Sequence, residues 1–218
     1  MDPIKVAVPK GRLFTPVLKM LAQAGFIDLE PDLDPERRLM LSTPDGSWQF
    51  LLVKPADVPV YVEYGAVDLG VAGKDVLLEA GRELCELVDL GIGKCRLIMA
   101  VPDDSPITKA TDLLPGSRIA TKFPRISRSF FASHGIQVEI LKLNGSIELA
   151  PKAGLATAIV DITETGSTLA QNNLRVVEEI RTVSARLVSN KISYKVRYPL
   201  IQEMVKRLSA VQGEKASV

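Results

Sequence analysis

The sequence is poor in the residues that build metal centres, disulfide scaffolds and base-stacking platforms. It has two cysteines, Cys85 and Cys95, and one histidine, His134. Two cysteines make neither a disulfide framework nor a metal-ligand spacing, and they read as small buried thiols. With a single histidine and no Cys/His cluster, a metal held by the protein itself is not expected. Aromatic residues make up 5% of the chain, which argues against a surface that stacks nucleic-acid bases. The formal net charge is +1 at pH 7, so no overall field draws the chain to nucleic acid or to an anionic membrane. No apolar run approaches the ~20 residues of a membrane-spanning helix, and the N-terminus shows no signal h-region. These absences predict a soluble cytoplasmic protein that binds neither nucleic acid nor membrane.

What the chain does have is 46% apolar residues over a length of 218, enough for one large or two small domains with real cores. Lys5–Val8, Phe50–Val53, Val67–Val71, Cys95–Val101, Arg118–Thr121, Val138–Leu143 and Ala156–Val160 read as short buried strands. Between them lie helical patterns. Leu13–Ala24 carries Leu13, Val17, Leu18 and Leu21 on one face and stops at Gly25. Val58–Tyr64 follows Asp57 as a candidate N-cap, Ile126–Ser133 closes at Gly135, and Ile147–Ala153 follows an Asn-Gly-Ser turn. Leu200–Val211 has Pro199 at its first turn and apolar residues at helical spacing, and the tail Gly213–Val218 is expected to fray. Arg175–Leu187 is long and rich in β-branched residues. The alternation predicts an α/β fold with mainly parallel sheet.

A weak internal echo divides the pattern in two. Lys5-Val6-Ala7-Val8-Pro9-Lys10-Gly11-Arg12 resembles Arg118-Ile119-Ala120-Thr121-Lys122-Phe123-Pro124-Arg125, each a strand, a basic loop and a helix start. Gly65–Val71 resembles Gly154–Val160, each a glycine feeding a buried strand. Two similar lobes would bring their strand ends and basic loops to a shared cleft, with Cys95–Val101 and Arg175–Leu187 as the crossings between them.

The richest chemistry lies in Val160-Asp161-Ile162-Thr163-Glu164-Thr165-Gly166-Ser167-Thr168-Leu169. A strand runs into an acid, then a Thr-Gly-Ser-Thr turn, then a helix start. Hydroxyls, a glycine and fresh backbone N–H groups suit a phosphate dianion. Asp161 repels a phosphate but suits the vicinal hydroxyls of a ribose, so the turn reads as a phosphoribosyl site. The plainer alternative is an ordinary strand–turn–helix with a Ser/Thr cap. A second feature is the set of cations at strand ends. Lys10 and Arg12 flank Gly11, Lys54 follows Phe50–Val53, and Lys122, Arg125 and Arg128 follow Arg118–Thr121. Together they could hold a polyanion, although each could equally be a solvated surface charge. Glu148 is the third feature. It is either a capping acid favoured by the helix dipole or a second carboxylate beside Asp161. His134, at a helix end, reads as a structural residue.

Five segments together resemble the ATP phosphoribosyltransferase family: Val8–Leu13, Asp57–Pro59, Tyr61–Asp75, Asn144–Pro151 and Asp161–Leu169. The resemblance runs from about Val6 to Leu208 and implies two lobes of the periplasmic-binding-protein type II kind around a central cleft. The implied division is a discontinuous first lobe, 1–94 plus 179–218, and a second lobe, 95–178, that carries the phosphoribosyl pyrophosphate loop. The implied reaction is attack of the adenine N1 of ATP on phosphoribosyl pyrophosphate, with loss of pyrophosphate. The resemblance assigns Asp161, Thr163, Glu164, Thr165, Gly166, Ser167 and Thr168 to phosphoribosyl pyrophosphate. It assigns Lys10, Gly11, Arg12, Lys54, Asp68 and Gly73 to ATP, and Glu148, Asp161 and Arg12 to catalysis. Lys54 stands where the family more often has arginine, and Glu164 is unusual within the turn. Magnesium, Mg2+, held mainly by the substrate phosphates, is the implied cofactor. The chain ends one helix after its long β-rich segment, which resembles the short form of the family. That form implies a homodimer that joins a regulatory subunit resembling histidyl-tRNA synthetase in a hetero-oligomer. Two other classes stay open: a type I purine-salvage phosphoribosyltransferase, whose similar turn normally follows two adjacent acids where this chain has Asp161 and Ile162, and a non-catalytic two-lobed solute-binding protein.

Overall fold

Two mixed β-sheets organise the chain, each in its own unit. The structure, a computed structural model, describes residues 2–28 and 38–216. The first unit takes the chain up to Gly93 and again from Ser184; the second is Lys94–Val183.

In the first unit the strands are β1 (Ile4–Pro9), β2 (Met40–Ser42), β3 (Trp48–Val53), β4 (Leu69–Gly73), β5 (Cys85–Asp89) and β11 (Ala185–Ser189), in the order β2-β3-β1-β4-β11-β5. The helices are α1 (Phe14–Gln23), α2 (Val58–Glu63), α3 (Lys74–Ala80), α7 (Lys191–Val196) and α8 (Tyr198–Ala216). Strand β1 is central, and Ile4, Val6, Ala7 and Val8 are wholly buried because both sheet faces are covered. On one face Val17, Leu18 and Leu21 of α1 pack with Ile201, Met204 and Leu208 of α8. On the other, Val58 and Val62 of α2 lie against Ala7, Ala72 and Val188. Here α2 rests on bare backbone, since a Cβ at Gly70 would come within 2.6 Å of Val62 and 2.7 Å of Val58.

In the second unit β6 (Cys95–Pro102), β7 (Ser117–Thr121), β8 (Val138–Lys142), β9 (Ala158–Thr163) and β10 (Leu174–Val183) take the order β10-β6-β9-β7-β8, with helices α4 (Pro124–Ser133), α5 (Leu149–Lys152) and α6 (Ser167–Gln171). Alternation along β6 assigns the faces. Leu97, Met99 and Val101 join Phe123 and Phe131 in one cluster. Ile98 and Ala100 join Ile147, Ala150 and Leu169 in the other.

The internal echo has a structural counterpart. β3, β1 and β4 run parallel and are followed by antiparallel β11; β8, β7 and β9 run parallel and are followed by antiparallel β6. The sheets are mixed rather than mainly parallel, because β2, β5, β6, β10 and β11 all pair antiparallel. The segment expected as one strand, Arg175–Leu187, divides at Ser184 into β10 and β11, which belong to different sheets. The second unit therefore runs to Val183 rather than to residue 178, because all of β10 is laddered onto β6. Cys95–Val101 lies inside the second unit, and the first crossing falls at Gly93–Lys94. Asp57 occupies the cap position of α2, but it belongs to a short 3-10 turn, Pro55–Asp57, and its side chain makes no capping bond. The tail continues α8 as far as Ala216, and residues 217 and 218 lie outside the described residues. Strands β2 and β5 and helices α3 and α7 had no clear signal in the apolar pattern. Among the described residues no helix is long and apolar enough to cross a membrane.

Candidate active site

The second unit gathers the phosphoribosyl-type motif around one pocket of about 270 Å3, lined by Glu148 and by Asp161–Thr165 and Ser167–Leu169. Strand β9 continues past the expected end at Val160 to Thr163, so Asp161 sits within the ladder, opposite Ile98 of β6. Its Oδ1 accepts the N–H of Ile162 at 2.8 Å. The turn then closes on its own hydroxyls. Gly166 N–H donates to Thr163 Oγ1 at 2.9 Å, and Thr165 Oγ1 donates to Ser167 Oγ at 3.1 Å. Gly166 takes φ 83° and ψ 0°, the left-handed region that a side chain disfavours. That twist starts α6 at Ser167. The first-turn amides of a helix have no preceding carbonyl to bond, so Ser167, Thr168 and Leu169 present their N–H groups at the turn. Ser167 N–H reaches only Thr165 Oγ1, at 3.3 Å. Thr165, Ser167 and Thr168 are exposed, while Leu169 is buried beneath them and anchors the turn.

Glu148 arrives from a separate connection. After β8, Ser146 adopts a left-handed φ of 50°, uncommon for a residue with a side chain. Ile147 then drops into the cluster that holds Leu169 and Ile159. This shared core brings Glu148 to the turn. Glu148 occupies the cap position of α5, but its side chain makes no capping bond and lines the pocket instead. The lining thus sorts by chemistry: hydroxyls and amides at the helix end suit a phosphate, and the carboxylates of Asp161 and Glu148 suit a diol. Its charged groups Glu148, Asp161 and Glu164 are all carboxylates. Ile162 and Leu169 also line the pocket, and strand alternation and helix packing are the sequence signals that mark them.

The first unit gathers most of the second set. β3, β1 and β4 are parallel, so Lys10, Gly11, Arg12, Lys54 and Gly73 all lie at the carboxyl ends of adjacent strands, where α/β sheets bind ligands. Lys10 N–H donates to Val53 O at 2.8 Å. Gly11 has φ 76° and opens a 3-10 turn, Gly11–Leu13. Arg12 is exposed and donates from Nη1 to Gly93 O at 3.1 Å. Lys54 is exposed. Gly73 has a packing reason of its own: a Cβ there would stand 2.2 Å from Oδ1 of buried Asp75. Asp68 is not brought to this edge. It precedes β4, at the opposite end of the sheet, and its carboxylate accepts Lys5 N–H at 3.0 Å and Ser193 Oγ–H at 2.9 Å. In this fold it ties β1 to α7. Among the described residues no three His, Cys, Asp or Glu side chains gather to hold a metal ion.

The comparisons agree in one direction. The family model for HisG, ATP phosphoribosyltransferase, matches residues 54–210. The ATP phosphoribosyltransferase of Halothermothrix orenii is 50% identical over 212 residues, which cover 97% of this chain and 95% of that protein. Among solved structures, the ATP phosphoribosyl transferase (HisG:HisZ) complex from Thermotoga maritima matches with a TM-score of 0.82 at 35% identity, covering 97% of this chain and 99% of that one. The periplasmic aliphatic sulphonate binding protein SsuA from Escherichia coli matches with a TM-score of 0.65 at 15% identity, covering 100% of this chain and 70% of that one, a likeness of fold alone.

Proposed function

This chain belongs to the ATP phosphoribosyltransferase family, and from that premise we propose how its residues carry the family's reaction. The enzyme transfers the phosphoribosyl group of phosphoribosyl pyrophosphate to N1 of the adenine of ATP and releases pyrophosphate, the first step of histidine biosynthesis. The observation that carries the residue assignment is the pocket that joins Glu148 and Asp161 to the Thr163–Leu169 turn.

In this reading the 5-phosphate sits on Thr165, Gly166, Ser167 and Thr168, held by hydroxyls and the first amides of α6. Thr163 braces the turn through its bond to the Gly166 N–H. Asp161 and Glu148 accept hydrogen bonds from the ribose hydroxyls. Their negative charge also favours the cationic, oxocarbenium-like sugar as the bond to pyrophosphate breaks. The adenine N1 has its own lone pair and needs alignment more than activation. Lys10, Arg12 and Lys54, at the strand edge of the first unit, meet the phosphates of ATP, with Gly11 and Gly73 shaping that edge. Arg12 offers a planar fork whose position is set by the Gly93 carbonyl.

Magnesium fits the donor set, since Glu148, Asp161 and Glu164 offer only hard oxygens, and when bound it neutralises pyrophosphate charge. Glu164, exposed on the turn, would offer it a further carboxylate oxygen. A cytoplasmic setting suits an enzyme of ATP-dependent biosynthesis. The likeness to the chain of the Thermotoga maritima complex supports a HisZ-like partner, and the short-form resemblance adds a homodimer of this chain and a partner resembling histidyl-tRNA synthetase. Of the other classes, the salvage enzyme would need a second acid that this chain lacks, because Ile162 follows Asp161, and the solute-binding protein rests on fold likeness alone. Incubation with ATP, phosphoribosyl pyrophosphate and magnesium should yield the N1-linked adduct and pyrophosphate in equal amounts. Turnover of a free purine base without ATP would overturn the assignment.

A further inference from the structure

The pocket in the second unit has a charge problem. Its lining holds three carboxylates, Glu148, Asp161 and Glu164, and no lysine or arginine. Hydroxyls and amides can satisfy the 5-phosphate without a cation. The pyrophosphate at the other end of the substrate is different. It is attached at the carbon beside the ribose hydroxyls, and its negative charge grows as it leaves. Carboxylates that serve the sugar repel it.

Lys142 ends β8 at this edge and Arg125 and Arg128 lie in α4, but Lys122 is the cation that directly follows the strand paired with β9. β7 and β9 are parallel, with Ile119 opposite Ala158, Ala120 opposite Ile159 and Thr121 opposite Val160. The next residue along each strand is Lys122, which leaves the sheet as β7 ends, and Asp161, which continues in β9 against β6. Lys122 sits between two buried anchors. Thr121 is wholly buried, and its Oγ1 accepts the N–H of Phe123 at 2.9 Å. Phe123 is 5% exposed and packs with Phe131 and Val160. The backbone at Lys122 is therefore pinned, while its side chain is exposed and has no hydrogen-bond or ion-pair partner among the described residues. A free ammonium on a four-carbon stem, one strand from an acid-lined pocket, is suited to bind a ligand anion.

We infer that Lys122 binds the pyrophosphate moiety of phosphoribosyl pyrophosphate and stabilises it as it departs. The inference rests on the reaction proposed above and gives the leaving group a partner within the second unit.

The test uses two probes on the full chain with magnesium present: inorganic pyrophosphate and ribose 5-phosphate, each titrated calorimetrically. K122M should weaken pyrophosphate binding by about tenfold or more, the scale of one charge-assisted contact, and leave ribose 5-phosphate within about twofold. K122R should keep pyrophosphate within about threefold of the unsubstituted chain. In turnover, K122M should raise KM for phosphoribosyl pyrophosphate and lower kcat, with KM for ATP unchanged. Melting temperature should not move for either variant, since the side chain is exposed and makes no hydrogen bond or ion pair among the described residues. Unchanged pyrophosphate affinity in K122M, an equal loss of both probes, or no pyrophosphate binding by the unsubstituted chain overturns the inference. Adduct formation by the unsubstituted chain is measured separately, so a failure of the reaction assignment is distinguishable from a failure of Lys122.

Discussion

Gly166 can be made to report separately on backbone strain and on ligand approach. Its φ of 83° lies where an L side chain costs about 1–2 kcal/mol. A Cβ built there meets no heavy atom within 4 Å, so no clash adds to the strain. Gly166→Ala should therefore lose roughly 1 kcal/mol of stability. For a protein of this size that is a fall in Tm of about 2–4 °C. Asparagine tolerates the left-handed region, so Gly166→Asn should melt close to the unsubstituted chain. Its side chain nonetheless stands over the amides that receive the 5-phosphate. Losing one charge-assisted bond of about 1.5–3 kcal/mol predicts a fall in phosphoribosyl pyrophosphate affinity of about tenfold or more. Gly166→Val should suffer both penalties, being β-branched as well as strained. The assays are thermal melting and titration with phosphoribosyl pyrophosphate on all three variants. If Gly166→Asn is as stable as the unsubstituted chain and binds the substrate equally well, the glycine serves the backbone alone and the close-approach argument is wrong.

Asp161→Asn and Glu148→Gln should each lower kcat by about tenfold or more, with a smaller effect on ATP affinity and little change in Tm, because neither carboxylate caps a helix; variants that turn over normally would remove these residues from the site. Leu169→Ala should cost about 2–5 kcal/mol, since the side chain is 5% exposed within the cluster that also holds Ile147. It should also weaken substrate binding by loosening both α6 and the Glu148 connection, whereas Leu149→Ala, at a residue 52% exposed, should change Tm little. Asp89 provides a pH test. Burial raises its pKa, but the Gly91 N–H, the Ser184 hydroxyl and Arg186 outweigh burial and hold it below the ordinary carboxylate value. A depressed folded pKa means that the stabilisation is complete above the unfolded value of about 3.9 and is lost as pH falls through the folded value. Asp89→Asn should lower Tm at neutral pH, and the gap from the unsubstituted chain should narrow in acid; a gap independent of pH would refute the linkage.

The amino-acid sequence alone carried the elements that depend on neighbours along the chain. Buried strands such as Ile4–Pro9 and Cys95–Pro102 are apolar runs, and α1 shows its apolar stripe at helical spacing. The Thr-Gly-Ser-Thr turn needs its glycine and hydroxyls at fixed offsets, so its chemistry was legible before its geometry. The family motifs stood in the sequence for the same reason. Long-range pairing decided the rest. Nothing local divides Leu174–Ser189, and only ladders to β6 on one side and to β4 and β5 on the other break it at Ser184. Asp68 looked like the other polar residues of its motif until the parallel register put it at the far end of β4, bonded to Lys5 and Ser193. Glu148 carried a capping signature and a functional one with equal weight. Its partner in the choice was Leu169, distant in sequence, which shares a buried cluster with Ile147 and so holds both segments to one pocket. A side chain's type is written in the chain, but its neighbours are set by hydrophobic burial and strand register, which only the folded sheets determine.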